Sequence, residues 1–157
     1  MIIYQFERII DVYTFFTENG DLYKVEFINS NWFEIGLFEV KEISFYANGG
    51  LDRITPDLYI QSTISAIIQD FLLNNPYSAV SYVCESIDGY TRAAARAKLF
   101  QRWFDATSTK NYIHLQGEIK DLEAQITYYN GIIFSKANPL GNLLIDTFQE
   151  LNQSLSK

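Results

Sequence analysis

The first residues fall into short runs where aromatic and β-branched side chains crowd together and no helical stripe appears: IIYQFERI at 2–9 and VYTFFT at 12–17. Such runs predict strands, because branched and flat side chains fit a pleated, half-buried surface. Glu18-Asn19-Gly20-Asp21 reads as a turn. In LYKVEFI at 22–28, Tyr23, Val25 and Phe27 alternate with Lys24 and Glu26, the period of a hairpin strand with one wet face. A longer strand is predicted over EIGLFEVKEISFYA at 34–47. Phe38 and Val40 fall on one of its faces and Ile43 and Phe45 on the other, which predicts a bulge near Lys41 and Glu42.

After Asn48-Gly49-Gly50 the period changes. Thr55-Pro56-Asp57 is a helix start: Thr55 caps, Pro56 has no N–H to leave unpaired, and Asp57 complements the positive end of the dipole. Ile60, Ile64, Ile67, Ile68, Phe71 and Leu72 form a single apolar stripe that ends at Asn74-Asn75-Pro76. YSAVSYVCE at 77–85 is the next strand, followed by a helix from about Thr91 to Asp105. Its core face is Ala93, Ala97, Phe100 and Phe104, with Leu99 and Trp103 alongside. Strands YIHLQGEI at 112–119 and EAQITYYNGIIF at 123–134 are separated by Lys120-Asp121, and Asn130-Gly131 marks a bulge in the second. Asn138-Pro139 opens a last helix with the stripe Leu140, Leu144, Phe148, Leu151 and Leu155. Four strands, helix, strand, helix, two strands and helix predict an α+β fold, a mixed but mainly antiparallel central sheet with helices packed on it. No repeat or linker divides the chain, so residues 1–157 are expected to form a single domain.

Composition narrows the functional classes. With 48% apolar residues over 157 positions, a core forms without disulfide or metal, and one cysteine permits no internal disulfide. Twelve basic against 19 acidic side chains leave a net charge of −7, which repels a phosphate backbone, so no nucleic-acid partner is expected. No apolar run approaches the roughly 20 residues of a membrane span. Glu7 and Arg8 interrupt the stretch a signal peptide would need, and a cytoplasmic location is expected.

The segment CESIDGYTRAAARAKLFQRWF at 84–104 concentrates the candidate chemistry. A strand that passes through a short loop into a helix presents free N–H groups that favour anions. Arg92 and Arg96 are one turn apart, and such a pair repels by a few tenths of a kcal/mol unless an anion offsets it. That anion is either internal, from Glu85 and Asp88, or a bound phosphate or carboxylate. Arg96 also precedes Phe100 by four residues, close enough to stack on its ring. Cys84 lies in an apolar strand and reads as inert core. The sole histidine, His114, is on another strand and reaches Cys84 only if the two strands are neighbours. One Cys and one His leave only carboxylates to complete a metal site, so none is expected.

From residue 12 to 134 the order of elements resembles the core of the GNAT-type N-acetyltransferases. In that family the strand after the first core helix leads to an Asn near a helix start, then an Ala, a Leu-Tyr pair and a Gly-Phe. Here Asp88 stands for the Asn, Ala94 or Ala95 for the Ala, Leu99-Phe100 for Leu-Tyr and Trp103-Phe104 for Gly-Phe. The resemblance implies acetyl-CoA, or another acyl-CoA, as cofactor, held by a glycine-rich loop at a helix start. The matching stretch, Gly49 to Asp57, instead has Pro56, which removes an N–H, Thr55, which occupies another, and Asp57, which repels a pyrophosphate; Arg53 alone favours it. The family's proton-donating Tyr is replaced by Phe100, which has no proton to give. Glu39 or Glu42 occupies the general-base strand.

Three functions follow as expectations. The first is a non-catalytic, acetyltransferase-like interaction or regulatory module of a bacterial cytoplasmic system, using no cofactor. It would meet a protein partner or a second copy through residues such as Trp32, Phe33, Tyr128 or Tyr129. The second is an acyl-CoA-dependent N-acyltransferase using Arg53 with Glu39 or Glu42. The third is a small-anion or nucleotide sensor centred on Arg92 and Arg96; the candidate cofactor-binding residues are Arg53, Asp88, Arg92 and Arg96.

Overall fold

The computed structural model describes residues 3–30, 39–48, 58–87, 91–108 and 110–155. Seven strands, β1 (Phe6–Ile9), β2 (Val12–Phe16), β3 (Leu22–Asn29), β4 (Val40–Ala47), β5 (Ala79–Ile87), β6 (Tyr112–Asp121) and β7 (Ile126–Ser135), form one sheet in the order β1-β2-β3-β4-β5-β7-β6. Three helices accompany it, α1 (Leu58–Asn74), α2 (Thr91–Thr107) and α3 (Gly141–Leu155). The fold is α+β and the sheet mostly antiparallel, as the hydrophobic pattern predicts; β4 and β5 are its parallel pair.

Residues adjacent along a strand separate the two sides of the sheet. Val80 and Ile133 belong to a cluster with α1 and α2, whereas their chain neighbours Ala79, Ile132 and Phe134 pack with Leu144 and Phe148 of α3. The first cluster is aromatic. Phe15 stacks on Tyr23 at 5.1 Å, and Phe27 stacks on Phe71 of α1 at 4.1 Å. The whole α1 stripe, from Ile60 to Leu72, is buried against these strands. Each such side chain contributes roughly 1.5–3 kcal/mol relative to exposure, far more than helix propensity supplies.

Neither predicted bulge forms. β3 and β4 pair without a break from Tyr23↔Ala47 to Asn29↔Lys41, because Val40 and Ile43, an odd number of residues apart, reach opposite faces by simple alternation. β7 likewise pairs through Asn130 and Gly131 with both neighbours in continuous register. The β6–β7 turn lies at 122–125, where Gln125 has φ 55° and Asp121 Oδ1 accepts the Ala124 N–H at 3.0 Å. Lys120 and Asp121, expected as the turn, are ladder partners of Thr127 and Ile126.

Among the described residues no helix is long and apolar enough to cross a membrane.

Candidate functional site

The parallel pair is short. β4 and β5 match at Val40↔Ala79, Lys41↔Val80 and Glu42↔Ser81, and there the pairing stops, although β4 continues to Ala47 and β5 to Ile87. Beyond Ser81, β4 stays with β3 and β5 with β7, so the sheet opens between residues 43–47 and 82–87. Along these facing edges the sheet ladder leaves backbone N–H and C=O groups to other partners. Both strands run parallel toward their carboxyl ends, from which the chain goes on to α1 and α2. Crevices beyond the carboxyl ends of parallel strands are where ligands bind in many open sheets.

At this parting three groups lie within electrostatic reach of one another. Cys84 on β5 is buried, and burial pushes its thiol up to about 12; Arg96 of α2 opposes that rise and Glu42 of β4 adds to it. Glu42 is half-buried, and loss of water raises its carboxyl above the usual range. Arg96 is exposed on α2. A carboxyl of raised proton affinity can accept a proton or pair with a polar ligand.

Glu39 is elsewhere in role. Its side chain is exposed, with Oε1 3.5 Å from Lys41 Nζ, while Lys41 donates to Asn29 Oδ1 at 2.7 Å. Its contribution is its carbonyl, which accepts the Ala79 N–H at 2.9 Å and helps start the parallel pair. Arg53 and Asp88 lie outside the described residues, as do Trp32 and Phe33; Arg92 is in the first turn of α2, with its side chain outside the description. Glu42 and Arg96 thus each act on Cys84, whereas Glu39 does not. Tyr128 and Tyr129, consecutive on β7, are half-buried and point to opposite faces, so they do not make one patch.

Cys84 and His114 do not pair. β7 separates their strands, and Cys84 is level with Tyr129 whereas His114 is level with Ile133. Four residues along the strands and two strand spacings put them roughly 13 Å apart in one direction and 10 Å in the other. His114 instead points its Nδ1 at Asp105 Oδ1, 2.8 Å away on α2. Beside it, Tyr82 is buried with its phenol proton held more tightly than usual, chiefly by burial; Gln101 of α2 approaches the phenol without a well-formed hydrogen bond. Nothing in the sequence singles out this Asp105–His114–Tyr82 group, because it joins a helix to two non-adjacent strands. The faint signal is a histidine at an inward position of an alternating strand, between Tyr112 and Gln116. Among the described residues no group of three or more His, Cys, Asp or Glu gathers as a metal site.

The sequence pattern described as Family of unknown function (DUF6169) matches residues 56–150. The chain belongs to DUF6169. The DUF6169 span takes in α1, β5, α2, β6, β7 and most of α3, and so includes Cys84, Arg96, Asp105 and His114. The other wall of the parting, β4 with Glu42, precedes the DUF6169 match. A comparison with curated proteins finds no match.

Proposed function

We propose that this DUF6169 protein is an acetyltransferase-like module that holds a ligand or partner at the β4–β5 parting and does not use acid–base catalysis. The observation that carries the reading is the parallel pair within an antiparallel sheet, which ends at Glu42↔Ser81 while both strands continue. Backbone groups facing each other across such an opening suit an extended, amide-bearing occupant, which can hydrogen-bond to either strand. The run of elements from β2 to β7 with α1 and α2 supports this reading.

The side chains support binding over chemistry. Phe100, at the family's proton-donor position, is buried and stacks on Tyr82 at 5.6 Å. The Cys84 thiol is protonated at neutral pH, and the His114 ring is sealed from any substrate. One observation favours a second reading, acyl-CoA-dependent N-acyl transfer: a carboxyl with raised proton affinity, Glu42, is tuned as a general base is tuned.

One assay decides between them. The protein is incubated with acetyl-CoA and a panel of amines, and free CoA and acylated amine are followed by mass spectrometry. The binding module releases no CoA above background, and native mass spectrometry of protein purified from its own host shows an added mass, ligand or second chain. Turnover that Glu42→Gln abolishes overturns the proposal in favour of acyl transfer.

A further inference from the structure

Helix α2 meets the last strand of the sheet through one carboxylate. Asp105 Oδ1 receives His114 Nδ1 at 2.8 Å and Gln116 Nε2 at 3.4 Å, both from β6. The two partners are unequally placed: the Asp105 side chain is 62% exposed, the His114 side chain 2%. Around the imidazole stand Phe104 of α2, with ring centres 5.4 Å apart, Tyr82 of β5 at 6.3 Å, and the cross-strand neighbour Ile133 of β7.

Donation from Nδ1 to a carboxylate selects the tautomer in which Nε2 is an acceptor. That Nε2 is buried and has no hydrogen-bond partner among the described residues. The neutral ring tolerates an unfilled lone pair. A protonated ring does not, because Nε2 becomes a charged donor facing aromatic side chains with no acceptor within hydrogen-bonding distance among the described residues. Asp105 is the charged group acting on the ring and pulls the other way, but its exposure to water screens the attraction. Tyr82 and Gln116, the remaining polar neighbours, carry no charge at neutral pH. Burial therefore outweighs the carboxylate, and the ring binds its proton more weakly than the ordinary value of 6.5.

We infer that the Asp105–His114 junction is an acid-sensitive latch: proton uptake by His114 releases the end of α2 from β6, and so loosens the wall of the β4–β5 parting that carries Arg96 and Phe100. An imidazolium satisfies Nε2 only by admitting water between Phe104 and Tyr82 or by leaving its site, and either separates α2 from the sheet edge. Because the folded chain binds this proton more weakly than the unfolded chain, the latch is intact above pH 6.5 and weakens as the pH falls below it.

His114 is the single histidine, so its imidazole resonances are unambiguous in the full-length protein. They are titrated by NMR between about pH 7.5 and 5, alongside amide hydrogen exchange corrected for the intrinsic effect of pH. The latch requires the Nδ1–H tautomer, a midpoint below 6.5, and loss of protection at 103–107 and 112–116 in step with the titration. Each pKa unit of depression allows about tenfold loss of protection relative to β2 and β3. His114→Gln keeps a donor for Asp105 without a titratable ring, and its exchange pattern should be flat with pH; if that variant does not fold, the wild-type titration decides alone. A midpoint at or above 6.5, or protonation that leaves protection of α2 and β6 unchanged, overturns the inference.

Discussion

Tyr82 occupies the space that a side chain at Gly131 would need. The two are cross-strand partners on β5 and β7, and a Cβ at Gly131 would stand 2.7 Å from the phenol oxygen and nearer still to Cε1 and Cζ of the ring. That open floor lets the ring lie flat, stacked on Phe100 at 5.6 Å and edge-on to Phe104 at 4.7 Å, which seats α2. Gly131→Ala is expected to overpack this contact and cost about 1–3 kcal/mol, lowering Tm by several degrees in thermal unfolding. In a double-mutant cycle with Tyr82→Leu, the combined cost should be less than the sum of the two. Strict additivity would mean that the ring is not what the new methyl meets.

The opposite face has a matching arrangement. Gly117 on β6 is the ladder partner of Asn130 on β7, and the Asn152 side chain of α3 lies over it; a Cβ at Gly117 would be 2.8 Å from Asn152 Nδ2 and closer to Oδ1. Asn152 Oδ1 accepts from Asn130 Nδ2 at 2.9 Å and its own Nδ2 donates to the Phe148 carbonyl at 2.9 Å. Gly117→Ala should displace Asn152 and strand the buried Asn130 amide, costing about 1–3 kcal/mol. In an Asn152→Ala background, denaturant unfolding should show the same glycine substitution to be nearly neutral. An equal cost in both backgrounds would place its origin in the strand itself.

These two glycines show where pattern reading stops. The α1 stripe from Ile60 to Leu72, the alternation of Tyr23, Val25 and Phe27, and the faces of β4 were all legible, because each depends on spacing within one element. Asn130-Gly131 reads locally as a bulge, yet Gly131 is there for Tyr82, a residue 49 positions earlier whose place depends on sheet order. The candidate site divides the same way. Glu42 enters with Glu39 through the acetyltransferase resemblance, as a general-base candidate, and Arg96 by its spacing from Arg92. The Asp105–His114 pair depends on β6 following β7 at the sheet edge and on the angle at which α2 crosses, and neither is written in local periodicity.

Helix α1 is anchored to the first strands by a polar contact. Tyr13 donates its phenol proton to Asp70 Oδ2 at 2.8 Å, and Arg8 Nη1 lies 3.5 Å from the same oxygen with its guanidinium 5.8 Å from the Tyr13 ring centre. Burial, then the Asp70 carboxylate, holds the phenol proton well beyond the ordinary range. Tyr13→Phe keeps the ring and loses the bond. Asp70 is partly open to water, so the expected loss is about 1 kcal/mol, below the roughly 1.5–3 kcal/mol of a well-buried bond to a charged group. Asp70→Asn, which retains an acceptor oxygen, should cost less in the same denaturant titration. The reverse order would show that the charge on Asp70, through Arg8, outweighs the bond.

Cys84 reports on the parting directly. With its thiol pushed up to about 12, the thiolate is scarce at pH 7.5, so alkylation should be slower than for an ordinary thiol by on the order of a thousandfold, before any steric shielding. The rate should go on rising past pH 9 instead of levelling, and should become fast once denaturant exposes the chain. Arg96 lowers this proton affinity and Glu42 raises it, so the two substitutions act in opposite senses: Arg96→Ala moves the rate–pH profile to higher pH, and Glu42→Gln moves it lower. Reading the profile's position, and not the rate at one pH, separates the electrostatic effect from any change in access. If neither substitution moves the profile, the three side chains do not share an environment, and the parting loses its claim to be a site.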